Sequence, residues 1–157
     1  MQWERIISCT CWNGRIVHLD ASGNYLSEWG KKGSAPGEFR IAHGLTIDTR
    51  DRIYVADRGN DRVQIFSPDG KLLSVWSGFG NPFGLLIVGT ELLVSAADAK
   101  AIFHVDVDGN ITARWGGSSV LSRPHFMASN HKGELLVAEG NDAKSVQIFS
   151  RVEQKKD

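Results

Sequence analysis

The 157-residue sequence has only two cysteines and four prolines, no net charge and no long apolar run. Two cysteines cannot build a disulfide framework and fall two ligands short of a structural zinc site. Cys9 and Cys11 alternate with Ser8, Thr10 and Trp12, a spacing at which a mutual disulfide would be strained. They read as two reduced thiols on a strand, or, in a secreted setting, as thiols that pair between molecules. Eighteen basic residues balance eighteen acidic ones, which leaves no excess positive field to neutralise a phosphate backbone. Nucleic acid is therefore not an expected partner, and the basic residues around Arg40 to Arg62 are interleaved with Glu38, Asp48, Asp51, Asp57 and Asp61. No segment approaches the roughly 18 consecutive apolar residues of a membrane span. Met1 to Cys11 sets an acid beside its base around a single Ile6-Ile7 pair, unlike an export signal, and the compartment is left open.

What is abundant is glycine, with 17 residues, and tryptophan, with five. Both fall into an internal repeat, the feature that decides an architecture before local structure is considered. Arg52 to Phe66 ends Asn-Asp-Arg-Val-Gln-Ile-Phe, and Glu134 to Phe149 ends on the same Val-Gln-Ile-Phe. Leu92 to Val105 keeps the apolar positions and Ile6 to Leu19 gives a fainter copy. Three turns recur in step, Ala21-Ser22-Gly23-Asn24, Pro68-Asp69-Gly70-Lys71 and Val107-Asp108-Gly109-Asn110, and each leads into a segment closing on Trp29, Trp76 or Trp115. The tryptophans lie 47 and 39 residues apart, and the openings at His43, Phe83 and His125 lie 40 and 42 apart. Apolar runs this short, bounded by Gly, Asn and Asp, favour strands over helices. Four strands per unit of about 40 residues is the pattern of a β-propeller blade. In the clearest unit the strands are expected at Gly44 to Asp48, Arg52 to Asp57, Arg62 to Ser67 and Leu72 to Trp76. The recurring aspartates Asp57, Asp69, Asp106 and Asp108 read as turn and strand-end residues whose carboxylates bond the backbone. The three strand-closing tryptophans read as packing between blades.

Gly37-Glu38-Phe39, His43-Gly44-Leu45-Thr46-Ile47-Asp48 and the run Ile53 to Phe66 together resemble the NHL repeat. The resemblance is strong for this blade, good for residues 123–150, weaker for 82–117 and partial for 5–29. It implies an all-β chain, a β-propeller of NHL type with about three and a half four-stranded blades. The blades divide as a partial blade at 5–29, blades at 35–77 and 78–117, a partial blade at 120–150 and a charged tail at 151–157. The front unit lacks its first strand and the rear unit its last, so the two cannot merge into one blade. An open arc is expected, as an N-terminally incomplete part of a six-bladed ring or as half of a ring closed by two copies.

Among NHL proteins the sequence is most similar to the peptidyl-α-hydroxyglycine α-amidating lyase group and its bacterial relatives. In that group alternate inner strands open with a Pro-His or similar pair, matched here by Ala42-His43 and Pro124-His125. The resemblance implies that His43 and His125 are metal ligands, two of three histidines holding a catalytic zinc, with Phe83 in the blade between them. It also implies that Arg58 is a catalytic residue that places a substrate carboxylate; its structural alternative is an ion pair with Asp57 or Asp61. Two departures weigh against the lyase reaction: the family's catalytic Tyr falls on Cys11, and its Asp after the second His falls on Phe126. His18 and His104 fall on third strands and His131 in a loop, so no substitute ligand is evident. The leading functional expectation is therefore an NHL interaction module that binds a protein, peptide or small-molecule ligand at its central face. Self-association through open blade edges is a further expectation. The alternative is a zinc-dependent carbon–nitrogen lyase when the propeller is complete.

Overall fold

The computed structural model describes residues 5–10, 12–140 and 146–150. Cys11, at the position of the family's catalytic Tyr, and the charged tail at 151–157 lie outside the described residues. Among the described residues fourteen antiparallel strands form four sheets that follow one another along the chain. The first contains β1 (Arg5–Thr10), β2 (Arg15–Asp20) and β3 (Tyr25–Trp29). The second contains β4 (Ala42–Ile47), β5 (Ile53–Asp57), β6 (Arg62–Phe66) and β7 (Leu72–Ser77). The third contains β8 (Pro82–Val88), β9 (Glu91–Ala96), β10 (Ala101–Val105) and β11 (Ile111–Gly116). The fourth contains β12 (Pro124–Ser129), β13 (Leu135–Glu139) and β14 (Val146–Phe149). Within each sheet every strand pairs with its neighbour in sequence, the meander of a propeller blade.

Short polar turns produce these hairpins for identifiable reasons. Gly23, Gly70 and Gly109 take φ of +85°, +84° and +92°, which side chains with a Cβ rarely adopt. Ahead of two of these turns, Asp20 and Asp106 accept hydrogen bonds from backbone amides two and four residues on. Bonds from Asn24 and Asn110 hold both carboxyls below the ordinary aspartate range. Asp69 serves its turn through the Ser67 hydroxyl. Asp48 and Asn130 repeat the same arrangement at the preceding hairpin of their blades.

Asp57 is a strand-end residue whose carboxylate bonds the backbone, as expected, but across the blade rather than within a turn. Its carboxylate is fully buried and reaches back to the amides of Arg40 and Ile41, 3.0 and 3.4 Å away. The same carboxylate takes the guanidinium of Arg62 at 2.8 Å and the side-chain amides of Asn60 and Gln64. Glu139 is its counterpart in the fourth sheet, accepting from the amides of Ser122 and Arg123 and from Gln147. In the third sheet Ala96 and Phe103, both buried, stand where Asp57 and Gln64 stand in the second. There an apolar contact, Phe103 edge-on to Phe79, occupies the place of the polar clamp.

The core lies between sheets. Ile16, Phe39, Val55 and Phe66 fill the space between the first and second sheets. Tyr54, Val63, Ile65, Phe79 and Phe103 fill that between the second and third. Leu93, Ile102, Leu121 and Val137 fill that between the third and fourth. Phe39, Phe79 and Leu121 each stand four residues before the residue that opens a blade, and all are fully buried.

Candidate functional site at the inner rim

The first strands of three blades, β4, β8 and β12, begin with the same irregularity. Pairing runs Ala42 to Asp57 and then Gly44 to Ala56, so His43 is an extra residue with no partner of its own. Phe83 and His125 are the extra residues at the same step of β8 and β12. A bulge of this kind re-aims one side chain out of the sheet's alternation. Here it brings three side chains from three blades together. The His43 and His125 rings lie 5.0 Å apart, centre to centre, and Phe83 lies 4.7 Å from the first and 4.4 Å from the second.

Glycine makes this convergence possible. A Cβ on Gly44 would come within 2.4 Å of the Phe83 carbonyl, and one on Gly84 within 2.3 Å of the His125 carbonyl. The inner strands thus touch backbone to backbone. The next residue in this series is Phe126, half exposed and stacked at 5.5 Å on His43. Side chains of neighbouring strands secure the same carbonyls. Ser95 donates its hydroxyl to the His125 carbonyl at 2.6 Å, and the Cys9 thiol meets the His43 carbonyl at 3.5 Å. Cys9 thus stands on a strand with its sulfur turned toward the rim.

The Phe83 carbonyl lies 3.1 Å from Nδ1 of His43. A carbonyl only accepts, so Nδ1 carries the proton and Nε2 of the neutral ring is left with the lone pair. Among the described residues Nδ1 of His125 is buried without a hydrogen-bond partner, in space kept open by Gly140. Burial lowers the pKa of both imidazoles, and the Arg58 cation adds to this for each; His43 and Arg123 contribute further at His125. Both rings are therefore held toward the neutral form, the one that binds a metal. The carbonyl-fixed tautomer of His43 is likewise the arrangement of a metal-bound histidine. The pair fits two positions of a histidine donor set. Among the described residues no third His, Cys, Asp or Glu joins them in a group that could hold a metal ion.

Arg58 follows β5 in a single 3₁₀ turn, Arg58–Asn60. Neither Asp57 nor Asp61 is its ion-pair partner: Asp57 takes Arg62, and Asp61 accepts from the Asn81 amide. Arg58 bonds Asn81 at 3.2 Å and lays its guanidinium over Phe83, 4.1 Å from the ring centre. Arg123 reaches the same ring at 5.6 Å. Sequence reading missed Arg123, although its place immediately before Pro124-His125 was a usable signal. Among the described residues neither guanidinium has a carboxylate within ion-pair distance.

Residues 39–66, spanning Phe39 through the end of β6, match the family model for the NHL repeat. Human NHL repeat-containing protein 3 is 39% identical over 157 residues, covering 87% of this chain and 43% of its own length. The chain thus contains an NHL repeat. It spans 43% of the length of the human protein and of its mouse counterpart. Rat peptidylglycine alpha-amidating monooxygenase is 39% identical over 64 residues, which is 38% of the NHL-repeat chain and 7% of the rat protein. In fold it is similar to virginiamycin B lyase from Staphylococcus aureus, with a TM-score of 0.72 at 15% identity over 92% of this chain and 51% of that one. Among the described residues no helix is long and apolar enough to cross a membrane.

Proposed function

We propose that this NHL-repeat chain is an interaction module whose inner rim recognises a carboxylate presented by a protein, peptide or small-molecule ligand. One observation carries the reading: Arg58 and Arg123 converge on a single aromatic ring, Phe83, with neither guanidinium neutralised by an ion pair among the described residues. The Arg58 guanidinium, centred over the ring with its Nε engaged by Asn81, leaves its terminal amino groups for a planar anion. The neutral imidazoles of His43 and His125 beside it supply ring faces with one acceptor nitrogen each rather than further charge. The kinship with NHL repeat-containing protein 3 supports an interaction role. Calorimetric titration with a short peptide ending in a free carboxylate, against the same peptide amidated, tests the reading. The carboxylate form is expected to bind and the amide to bind at least about tenfold more weakly, with Arg58→Gln removing the difference. Equal binding of the two peptides, or unchanged binding by Arg58→Gln, sinks it.

A second reading rests on the His43 tautomer and the 5.0 Å approach of the two imidazoles. When a third histidine completes the set, His43 and His125 would hold zinc, which supplies Lewis-acid polarisation, while Arg58 places the substrate carboxylate. The corresponding activity is cleavage of a peptidyl-α-hydroxyglycine to the peptide amide and glyoxylate. Zinc retained through gel filtration and lost in His43→Ala, together with glyoxylate release, would favour it; a chain that retains no zinc and releases no glyoxylate would discard it. The exposed faces of the terminal sheets also support self-association. Val63 and Ile65 are 0% and 1% exposed, whereas their repeats Val146 and Ile148 are 59% and 61% exposed.

A further inference from the structure

Beyond the bulges, the inner rim carries one further backbone hydrogen bond in each of the second, third and fourth sheets. The residue before the first strand accepts, at its carbonyl, the amide of the residue after the second strand. The pairs are Ile41 with Arg58, Asn81 with Ala97 and Arg123 with Gly140. These six residues occupy matching places, one step past the terminal strand pairs Ala42–Asp57, Pro82–Ala96 and Pro124–Glu139. Two of them are arginines and none is acidic. Over the whole chain, by contrast, eighteen basic residues are balanced by eighteen acidic ones.

The two arginines come from the blades on either side of Phe83 and meet at its ring. The guanidinium carbon of Arg58 lies 4.1 Å from the ring centre and that of Arg123 lies 5.6 Å from it. Both residues are half-buried, and the backbone of each is tied at its amide and its carbonyl. Arg58 donates to Ile41 and accepts from Asp61; Arg123 donates to the Glu139 carboxylate and accepts from Gly140. Pro124 further confines Arg123 to extended backbone. An arginine could not stand at Gly140, the repeat of Arg58, because a Cβ there would come within 2.9 Å of Nδ1 of His125. The other member of the hydrogen-bonded pair supplies it instead.

The neighbouring carboxylates are engaged elsewhere. Asp57 takes Arg62, Asp61 and Asp98 take the backbone and side-chain amides of Asn81, and Glu139 takes backbone amides and Gln147. Among the described residues, Arg123 makes no side-chain hydrogen bond and neither arginine has an ion-pair partner. The face of Phe83 attracts each cation without neutralising it. Two like charges held around one ring repel each other, and an anion that meets both relieves the repulsion.

We infer that the rim takes a ligand end with two neighbouring carboxylates, as in a polypeptide ending in aspartate or glutamate, with Arg58 on one and Arg123 on the other. This rests on the carboxylate reading of Arg58 given above and adds a second charge to it. A guanidinium presents a planar array of donors suited to one carboxylate. Both guanidinium carbons lie within 5.6 Å of one ring centre, so the two carboxylates must lie close together, as they do on a terminal acidic residue. Arg58 places the terminal carboxylate, and Arg123 selects an acidic last residue over a neutral one of the same shape.

Three synthetic peptides that differ only at the last residue test this by calorimetric titration of the full chain. One ends in Glu with a free carboxylate, one in Gln with a free carboxylate and one in Gln amide. The Glu peptide is expected to bind at least about tenfold more tightly than the Gln peptide, and the Gln peptide more tightly than its amide. Arg123→Gln is expected to erase the first difference and keep the second. Equal binding of the Glu and Gln peptides to the unaltered chain overturns the proposal without any variant. So does a folded Arg123→Gln chain that still separates them. If the Gln peptide beats its amide in either case, the carboxylate reading of Arg58 stands while the second charge falls. A Gln peptide that binds no better than its amide removes that reading and this proposal together. Inorganic phosphate that displaces the Glu peptide at equal concentration assigns the arginines to a single compact dianion and equally overturns it.

Discussion

Gly109 lies directly against the indole of Trp76, near enough that a single added carbon would sit 2.5 Å from the ring. The sequence marks Gly109 as a turn residue; the structure gives it a second duty as the only residue small enough to pass under the indole. Gly23 occupies the matching turn of the first sheet with nearly the same φ, but nothing lies within 4 Å of where its Cβ would be. The two positions separate conformational strain from collision.

Alanine at Gly23 is therefore expected to cost about 1 kcal/mol, the penalty of positive φ alone. Alanine at Gly109 adds overpacking, for about 2–4 kcal/mol in all. Urea denaturation of the two variants checks the ordering, which equal losses would contradict.

Removing the carboxylate of Asp57 leaves the Arg62 guanidinium, only 10% exposed, without its charge partner and the Arg40 amide without its acceptor. Asp57→Ala is expected to destabilise the chain by about 3–5 kcal/mol. At the matching position of the third sheet, Ala96→Asp would bury a carboxylate against Phe103 and should be comparably harmful. A mild effect of either in thermal or chemical unfolding would mean that the clamp does not hold the blades.

Ser95 is fully buried, accepts from the Gly84 amide at 2.9 Å and donates to the His125 carbonyl at 2.6 Å. Ser95→Ala leaves both groups short of a partner and is expected to cost about 1–3 kcal/mol. Cys9→Ser places a hydroxyl opposite the His43 carbonyl in the manner of Ser95 and is expected to change stability by under about 1 kcal/mol. Equilibrium unfolding curves of the two variants decide the contrast.

His43 and His125 have folded-state pKa values lowered by burial, so between those values and the ordinary histidine value the unfolded chain binds more protons. Stability is complete above about pH 6.5 and falls as the pH drops through the lowered values. Replacing His43 with Phe, the residue already present at position 83, removes part of this dependence below about pH 6.5. The steeper loss at lower pH should remain, since it comes from carboxyls such as Asp20, Asp48 and Asp106, whose pKa values hydrogen bonding lowers. Melting temperatures measured across about pH 4 to 8 test both windows, and an unchanged slope just below about pH 6.5 in His43→Phe would refute the assignment.

The blades were legible because glycine turns and strand-closing tryptophans punctuate the chain, and the equivalent places of His43, Phe83 and His125 followed from their spacing. Three features were not legible, each for a physical reason. Asp57 looks like a turn residue because its strongest sequence cue is the Asn60-Asp61 that comes after it. Its main backbone partners, Arg40 and Ile41, lie 17 and 16 residues earlier, beyond any local pattern. Arg58 stands near two aspartates in sequence, yet the 3₁₀ turn carries its guanidinium away from both and onto Phe83 in the next blade. The weaker repeat of the third sheet is not decay of the motif, because Ala96 and Phe103 replace Asp57 and Gln64 together, exchanging a charged clamp for an apolar one.

The backbone contacts at Gly44 and Gly84 divide labour within the inner rim. Because peptide groups rather than side chains set the spacing of the strands, residues 43, 83 and 125 can be exchanged for others without widening or narrowing the frame that carries them. Chemistry at the rim is thus modular: a new recognition specificity can be written at three bulge positions on an unaltered scaffold. The two glycines are the positions such redesign must leave alone.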